Sequence, residues 1–197
     1  MVGVMEAKRS LFSESAIWKL LHLYAENMYL DSSETNRLIV IGGSAMSLLN
    51  LRHGTHDIDV INELTIFERQ VIKQISMAEG LSTEWMNNRS LPFRPQNLIL
   101  KSCTLVLKIY NTELYVPPFD LLLLMKIHAS RGERDLVDMY LLWAHCSFTS
   151  VKAIEKAYWD AYPDAPLDPY LSTHLEMIEL QSCEYLTRKR TRELSKR

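Results

Sequence analysis

Apolar side chains recur along the chain first at mixed spacings and then, past residue 117, at helical spacing only. Ile17, Leu20, Leu21, Tyr24 and Met28 step by three and four, which predicts an amphipathic helix over residues 13–29 with Ser13 as its N-cap. A polar loop with Asp31, Ser32, Ser33 and Asn36 follows. Residues 38–41 form an apolar, β-branched run, so a buried strand, and Gly42 and Gly43 end it. Residues 44–51 predict a short helix, and a turn centres on Gly54. Residues 57–61 predict a second strand, with Ile58 and Val60 toward one face and Asp57 and Asp59 toward the other.

Thr65 with Glu68 three residues later predicts a capping box for a helix over 65–77, and Gly80 is its C-terminal stop. Residues 87–97, with two prolines and two arginines, predict a loop. A strand is expected over 102–110, a turn at Asn111-Thr112 and a short strand over 113–116. Pro117 and Pro118 open a helix through 129, since proline is tolerated in a first turn. A break at 131–133 precedes a helix over 135–145 with Leu136, Met139, Tyr140 and Trp143 on one side. Residues 150–162 and 170–186 predict two more helices, joined by a linker with Pro163, Pro166 and Pro169. The fold class is therefore α/β in the α+β sense: a small mixed sheet over residues 1–116 with its N-terminal helix, and a helical region over 117–197 packing on it.

Composition adds little to that picture. The 197 residues are 47% hydrophobic and 23% charged, with a formal net charge of −2, which gives no global attraction to nucleic acid or membrane. Any such attraction is local. Cys103, Cys146 and Cys183 are odd in number and widely spaced, which fits buried thiols in a reducing compartment. The N-terminal residues Glu6, Lys8 and Arg9 lack the pattern of a secretory signal, and the apolar run 121–125 is too short to span a bilayer. A cytoplasmic protein without a membrane partner is expected.

Two features carry chemistry. A strand ending in Gly42-Gly43-Ser44 and feeding a helix exposes backbone N–H groups and a hydroxyl where an anion can dock; the same residues also suit a tight turn capped by Ser44. Asp57 and Asp59 share a strand face about 6–7 Å apart by strand rise. That separation suits joint oxygen coordination of Mg²⁺ or Mn²⁺. The alternative is an acidic face turned to solvent. Together the two features fit a nucleoside triphosphate with its metal.

On Gly43, Ser44, Asp57 and Asp59 the sequence resembles the DNA polymerase β-type nucleotidyltransferase superfamily, whose hallmark is Gly-Ser followed by Asp-x-Asp. Residues 121–143 are similar to the C-terminal motif of the AbiEii/MenT-type toxin nucleotidyltransferases, with Lys126, Arg134, Asp135 and Asp138 at the motif positions. The resemblance implies transfer of a nucleoside monophosphate from a triphosphate to RNA, such as a tRNA end, or to a protein. It also implies a toxin–antitoxin setting with an antitoxin protein as partner. Gly42, Gly43, Ser44 and Arg52 would bind the nucleotide, Asp57 and Asp59 the metal, and Lys126 the triphosphate charge, with Asp135 beside it in a catalytic role.

The superfamily's third carboxylate has no clear counterpart over 105–110. Glu113 and Asp135 are the candidates, unless one metal suffices or catalysis is degenerate. Arg52, Thr55 and His56 border the site, and Trp85, Asn87, Arg89 and Arg94 are candidates for a base or acceptor pocket or for a solvated loop. The basic residues Arg188, Lys189, Arg190, Arg192, Lys196 and Arg197 would track an RNA backbone or end a solvated helix. Two other readings remain. One is a nucleotidyltransferase fold kept as a nucleotide- or partner-binding module. The other is a haloacid-dehalogenase-like phosphatase, which has Ile61 where threonine is expected and its second acidic pair on a helix.

Overall fold

The computed structural model describes residues 11–31, 34–129 and 133–194. Ser32, Ser33 and Arg131, the side chain of Arg134, and the basic side chains from Lys189 onward lie outside the described residues. The chain divides into two compact units, a mixed α/β unit that takes in Met1–Pro92 and Cys103–Pro117, and a helical unit of Phe93–Ser102 and Pro118–Arg197.

In the first unit, β1 (Phe12–Ser13) leads into α1 (Glu14–Asp31), and Ser13 Oγ accepts the Ala16 N–H at 3.3 Å as the expected cap. Next come β2 (Asn36–Ile41) and α2 (Gly42–Leu48), so the helix begins on the glycines themselves rather than at Ser44. The two-residue strand β3 (Gly54–Thr55) pairs with β1, a small sheet that sequence periodicity did not anticipate. Gly54 is needed there, because a Cβ on it would lie 2.4 Å from the Phe12 carbonyl oxygen. β4 (Ile58–Val60) and α3 (Ile66–Glu79) follow. The expected capping box of Thr65 and Glu68 is present, and Gly80 closes α3 in the left-handed region at φ 66°.

β5 (Met86–Asn87) occupies the start of the expected loop, and β6 (Thr104–Ile109) and β7 (Thr112–Val116) form the expected hairpin. The five-stranded sheet runs β5-β4-β2-β7-β6, with β2 antiparallel to β4 and parallel to β7. Register pairs Val40 with Val60 and Leu38 with Leu114, so these buried side chains share one face. Asn36, on that face, donates to Tyr24 Oη of α1 at 2.9 Å, and Tyr24 donates to Glu68 of α3 at 3.0 Å. One buried chain of hydrogen bonds thereby ties both helices to the sheet. Desolvation, then the charge of Glu68, pushes the Tyr24 phenol well above its ordinary range, so it stays a donor.

The helical unit holds α4 (Phe119–Ala129), α5 (Glu133–Trp143), α6 (Val151–Ala161) and α7 (Leu171–Leu194). Leu121 through Met125 are all buried, as a helix surrounded by neighbours requires. Ser150 caps α6 by accepting the Ala153 N–H at 3.2 Å. α7 lays Leu171, Leu175, Ile178 and Ser182 inward and runs past the expected end at 186. α5 departs from expectation. Its buried residues are Asp138, Met139 and Leu142, whereas Leu136, Tyr140 and Trp143 are half-buried. Asp138 is paired with Lys126, as described below.

Among the described residues no helix is long and apolar enough to cross a membrane.

Candidate functional site

The end of β2 and the start of α2 make a crowded polar corner. Gly42 takes φ +62°, which carries the chain from strand to helix in one residue and which glycine adopts without strain. A Cβ on Gly42 would lie 3.1 Å from Asp59 Oδ2, so the carboxylate rests against that backbone. A Cβ on Gly43 would lie 2.8 Å from Arg52 Nη1 and 3.0 Å from Thr55 Oγ1. Two consecutive glycines thus admit a carboxylate on one and a guanidinium on the next. Asp59, Gly42, Gly43 and Arg52 are brought together as the sequence suggested.

Ser44 behaves differently from expectation. Its side chain is fully buried, its Oγ donates to the Ile41 carbonyl at 2.8 Å, and it accepts the Asp59 N–H at 3.2 Å. As the third residue of α2 it points back into the first turn, so its hydroxyl locks β4 against the β2–α2 corner.

Ile58 and Val60 are fully buried while Asp59 is half-buried, the alternation read from the sequence. Asp57 lies in the bend just before β4, 34% exposed in its side chain, with Arg89 Nη2 at 3.6 Å from Oδ2. Register pairs Asp59 with Asn87 of β5 and with Ile41 of β2. β5 is what brings Asn87 and Arg89 to the aspartates; with only two residues it leaves no periodic signal. The expected strand over 57–61 is shorter, so Asp57 stands in the bend before β4 and only Asp59 is on the strand; both are hard oxygen donors of the kind that would suit Mg²⁺ or Mn²⁺. Among the described residues no group of three or more His, Cys, Asp and Glu side chains is gathered for a metal.

Glu113 is not a third ligand of that pair. It faces Arg37 in register, and Arg37 is four residues along β2 from Ile41, the partner of Asp59. That offset is about 13 Å along the strand. Its carboxylate instead accepts from Lys108 at 2.8 Å, Tyr115 at 2.9 Å and Arg37 at 3.0 Å. The hydrogen bond from Lys108 first, then that from Tyr115, holds its carboxyl down at about 2, with Arg37 adding to them. The same bond raises the Tyr115 phenol.

In the helical unit, Lys126 Nζ lies 2.8 Å from Asp135 Oδ1 and 2.7 Å from Asp138 Oδ2. The three are the expected constellation, and both aspartates take part. One ammonium against two carboxylates leaves the cluster at −1 if all three are charged, so Lys126 is not a spare cation. The resemblance anticipated a charge for triphosphate; the geometry is a lysine held between acids. Nearby on α4, His128 stacks on Tyr162 at 3.9 Å and bonds Tyr158 through Nδ1 at 3.0 Å. Burial lowers its pKa.

Comparison of the chain with protein-family models, with curated proteins and with solved structures returns no match.

Proposed function

We propose that the chain is a Mg²⁺- or Mn²⁺-dependent nucleotidyltransferase, moving a nucleoside monophosphate from a triphosphate to an RNA or protein hydroxyl. The observation that carries the reading is the pair of opposite charges on consecutive glycines, Asp59 against Gly42 and Arg52 against Gly43. That juxtaposition suits a metal–triphosphate: a carboxylate for the cation and a guanidinium for the phosphates. In the reaction the acceptor oxygen bonds to the α-phosphorus, the bond from that phosphorus to the bridging oxygen breaks, and pyrophosphate leaves. The acceptor's proton passes to solvent or to a carboxylate base. The metal, when bound by Asp57 and Asp59, supplies charge neutralisation at the phosphate oxygens. Arg52 and the Gly43 backbone orient the triphosphate, and Ser44 keeps Asp59 at the corner through its amide.

Lys126 and Asp135 join the reading through the family resemblance. Asp135, hydrogen-bonded to Lys126, takes the catalytic role that the resemblance implies for it. A tRNA end as acceptor, an antitoxin partner and a cytoplasmic location belong to the same proposal; Cys103 and Cys146 are half-buried and Cys183 is exposed, so the three thiols are less buried than expected. A second reading, a nucleotide-binding module without turnover, is favoured by the double engagement of Lys126.

The test is incubation with each labelled triphosphate, Mg²⁺ and RNA or protein, beside Asp57→Ala. Label transfer by the wild type and its loss in the variant are expected. Equal labelling by both sinks the proposal, and triphosphate binding without transfer selects the second reading.

A further inference from the structure

The loop after β5 presents Arg89 to Asp57. Asn87 is buried and stands in register with Asp59 on the neighbouring strand. Its carboxamide oxygen accepts the Arg89 backbone N–H at 3.1 Å and Arg89 Nε at 3.2 Å. A single buried acceptor thus fixes both the root of the side chain and the near edge of its guanidinium. The far edge carries Nη2, 3.6 Å from Asp57 Oδ2, while Nε also lies 3.7 Å from Glu84 Oε2. The Arg89 side chain is nevertheless 58% exposed.

A guanidinium anchored this way offsets the charge of Asp57 when no cation is bound. The pair is long and half-exposed, which makes it weak, so a divalent ion can take the carboxylate from it. Once displaced, the guanidinium keeps its Asn87 anchor and still directs its Nη groups to the same place. A planar fork of donors there matches phosphate oxygens.

We propose that Arg89 is a phosphate-contacting residue that exchanges partners: Asp57 in the free protein, a phosphate oxygen of the arriving metal–triphosphate in the bound one. This rests on the nucleotidyltransferase reading of Asp57 and Asp59. The exchange is of ion pairs only, with no bond made or broken. It has a signature of opposite signs. Losing Arg89 removes a competitor for Asp57, so a bare cation binds more tightly, and it removes a phosphate contact, so a polyphosphate binds more weakly. A residue that merely holds its loop in place weakens both.

The experiment titrates the full chain, as wild type, Arg89→Gln, Arg89→Lys and Asp57→Asn, with Mn²⁺ alone by paramagnetic resonance and with Mg²⁺ plus inorganic tripolyphosphate by calorimetry. Arg89→Gln is expected to bind Mn²⁺ about two- to fivefold more tightly and tripolyphosphate about tenfold more weakly or worse. Arg89→Lys keeps the charge but not the fork, so it is expected to leave Mn²⁺ near the wild-type value and still weaken tripolyphosphate. Shifts of both affinities in the same direction, or of neither, in Arg89→Gln overturn the proposal while leaving the nucleotidyltransferase reading standing. Absence of Mn²⁺ binding in the wild type, or equal binding by Asp57→Asn, overturns both.

Discussion

Lys126 Nζ lies 2.7 Å from Asp138 Oδ2, and the Asp138 side chain is only 5% exposed. A buried carboxylate of that kind is tolerable partly because the ammonium compensates it; removing the ammonium leaves the charge less compensated. Lys126→Ala is therefore expected to destabilise the protein by about 3 kcal/mol. Adding Asp138→Asn to it should recover much of the loss. Urea unfolding of the single and double variants measures this. An additive double variant would show that the pair contributes no coupling, leaving Lys126 free for a purely chemical role.

Glu113 provides a pH-dependent contribution elsewhere in the α/β unit. Its folded pKa of about 2 lies below the ordinary 4.5. The folded state thus binds its proton less readily than the unfolded chain, and stability from this group is complete above 4.5 and lost as pH falls toward 2. Glu113→Gln should flatten the wild type's decline in thermal midpoint across that window. It should also leave the metal affinity of Asp57 and Asp59 unchanged, given the offset of about 13 Å along β2. A fall in Mn²⁺ affinity in Glu113→Gln would contradict the placement.

What could be read from the sequence was what local rules write into neighbouring residues. The Thr65–Glu68 box with Gly80 gave both ends of α3, and the alternation through Ile58 and Val60 gave the faces of β4. Both signals live within a few residues. β1, β3 and β5 span two residues each and are held by partners far along the chain, such as Asn87 opposite Asp59, so no period announces them. In α5, where the sequence put Leu136, Met139, Tyr140 and Trp143 on one side, only Met139 of these is buried, and the buried Asp138, paired with Lys126 of another helix, carries no signal in an apolar stripe. Ser44 shows the same limit at the candidate site. Its proximity to the glycines suggested a phosphate ligand, and only the fold reveals that Ile41 and Asp59 already engage its hydroxyl.

The two glycines should separate when each is given a methyl group. At Gly42 the backbone is left-handed, so Gly42→Ala is expected to cost about 1–2 kcal/mol in stability as well as to press on Asp59. Gly43 has no such backbone demand, and the atoms nearest its added Cβ are side-chain ends, Arg52 Nη1 and Thr55 Oγ1. Gly43→Ala should therefore shift the thermal midpoint little while displacing Arg52 and weakening tripolyphosphate binding. Unchanged binding in a folded Gly43→Ala protein would remove Arg52 from the site.

Thr112 offers a test of the fold that does not touch the proposed chemistry. It is 1% exposed on β7, beside Asn36 in register, and its Oγ1 finds no hydrogen-bond partner among the described residues. A hydroxyl buried without a partner costs about 1–3 kcal/mol relative to one that is satisfied. Valine has nearly the same shape and no such requirement, and its β-branch suits a strand. Thr112→Val is thus expected to raise stability by about 1 kcal/mol, the lower end of that range. Denaturant unfolding should show a higher midpoint with an unchanged slope. Loss of stability instead would mean that the hydroxyl is satisfied within the core, and that the α1 face of β7 is wetter or differently packed than Tyr24, Asn36 and Leu114 imply.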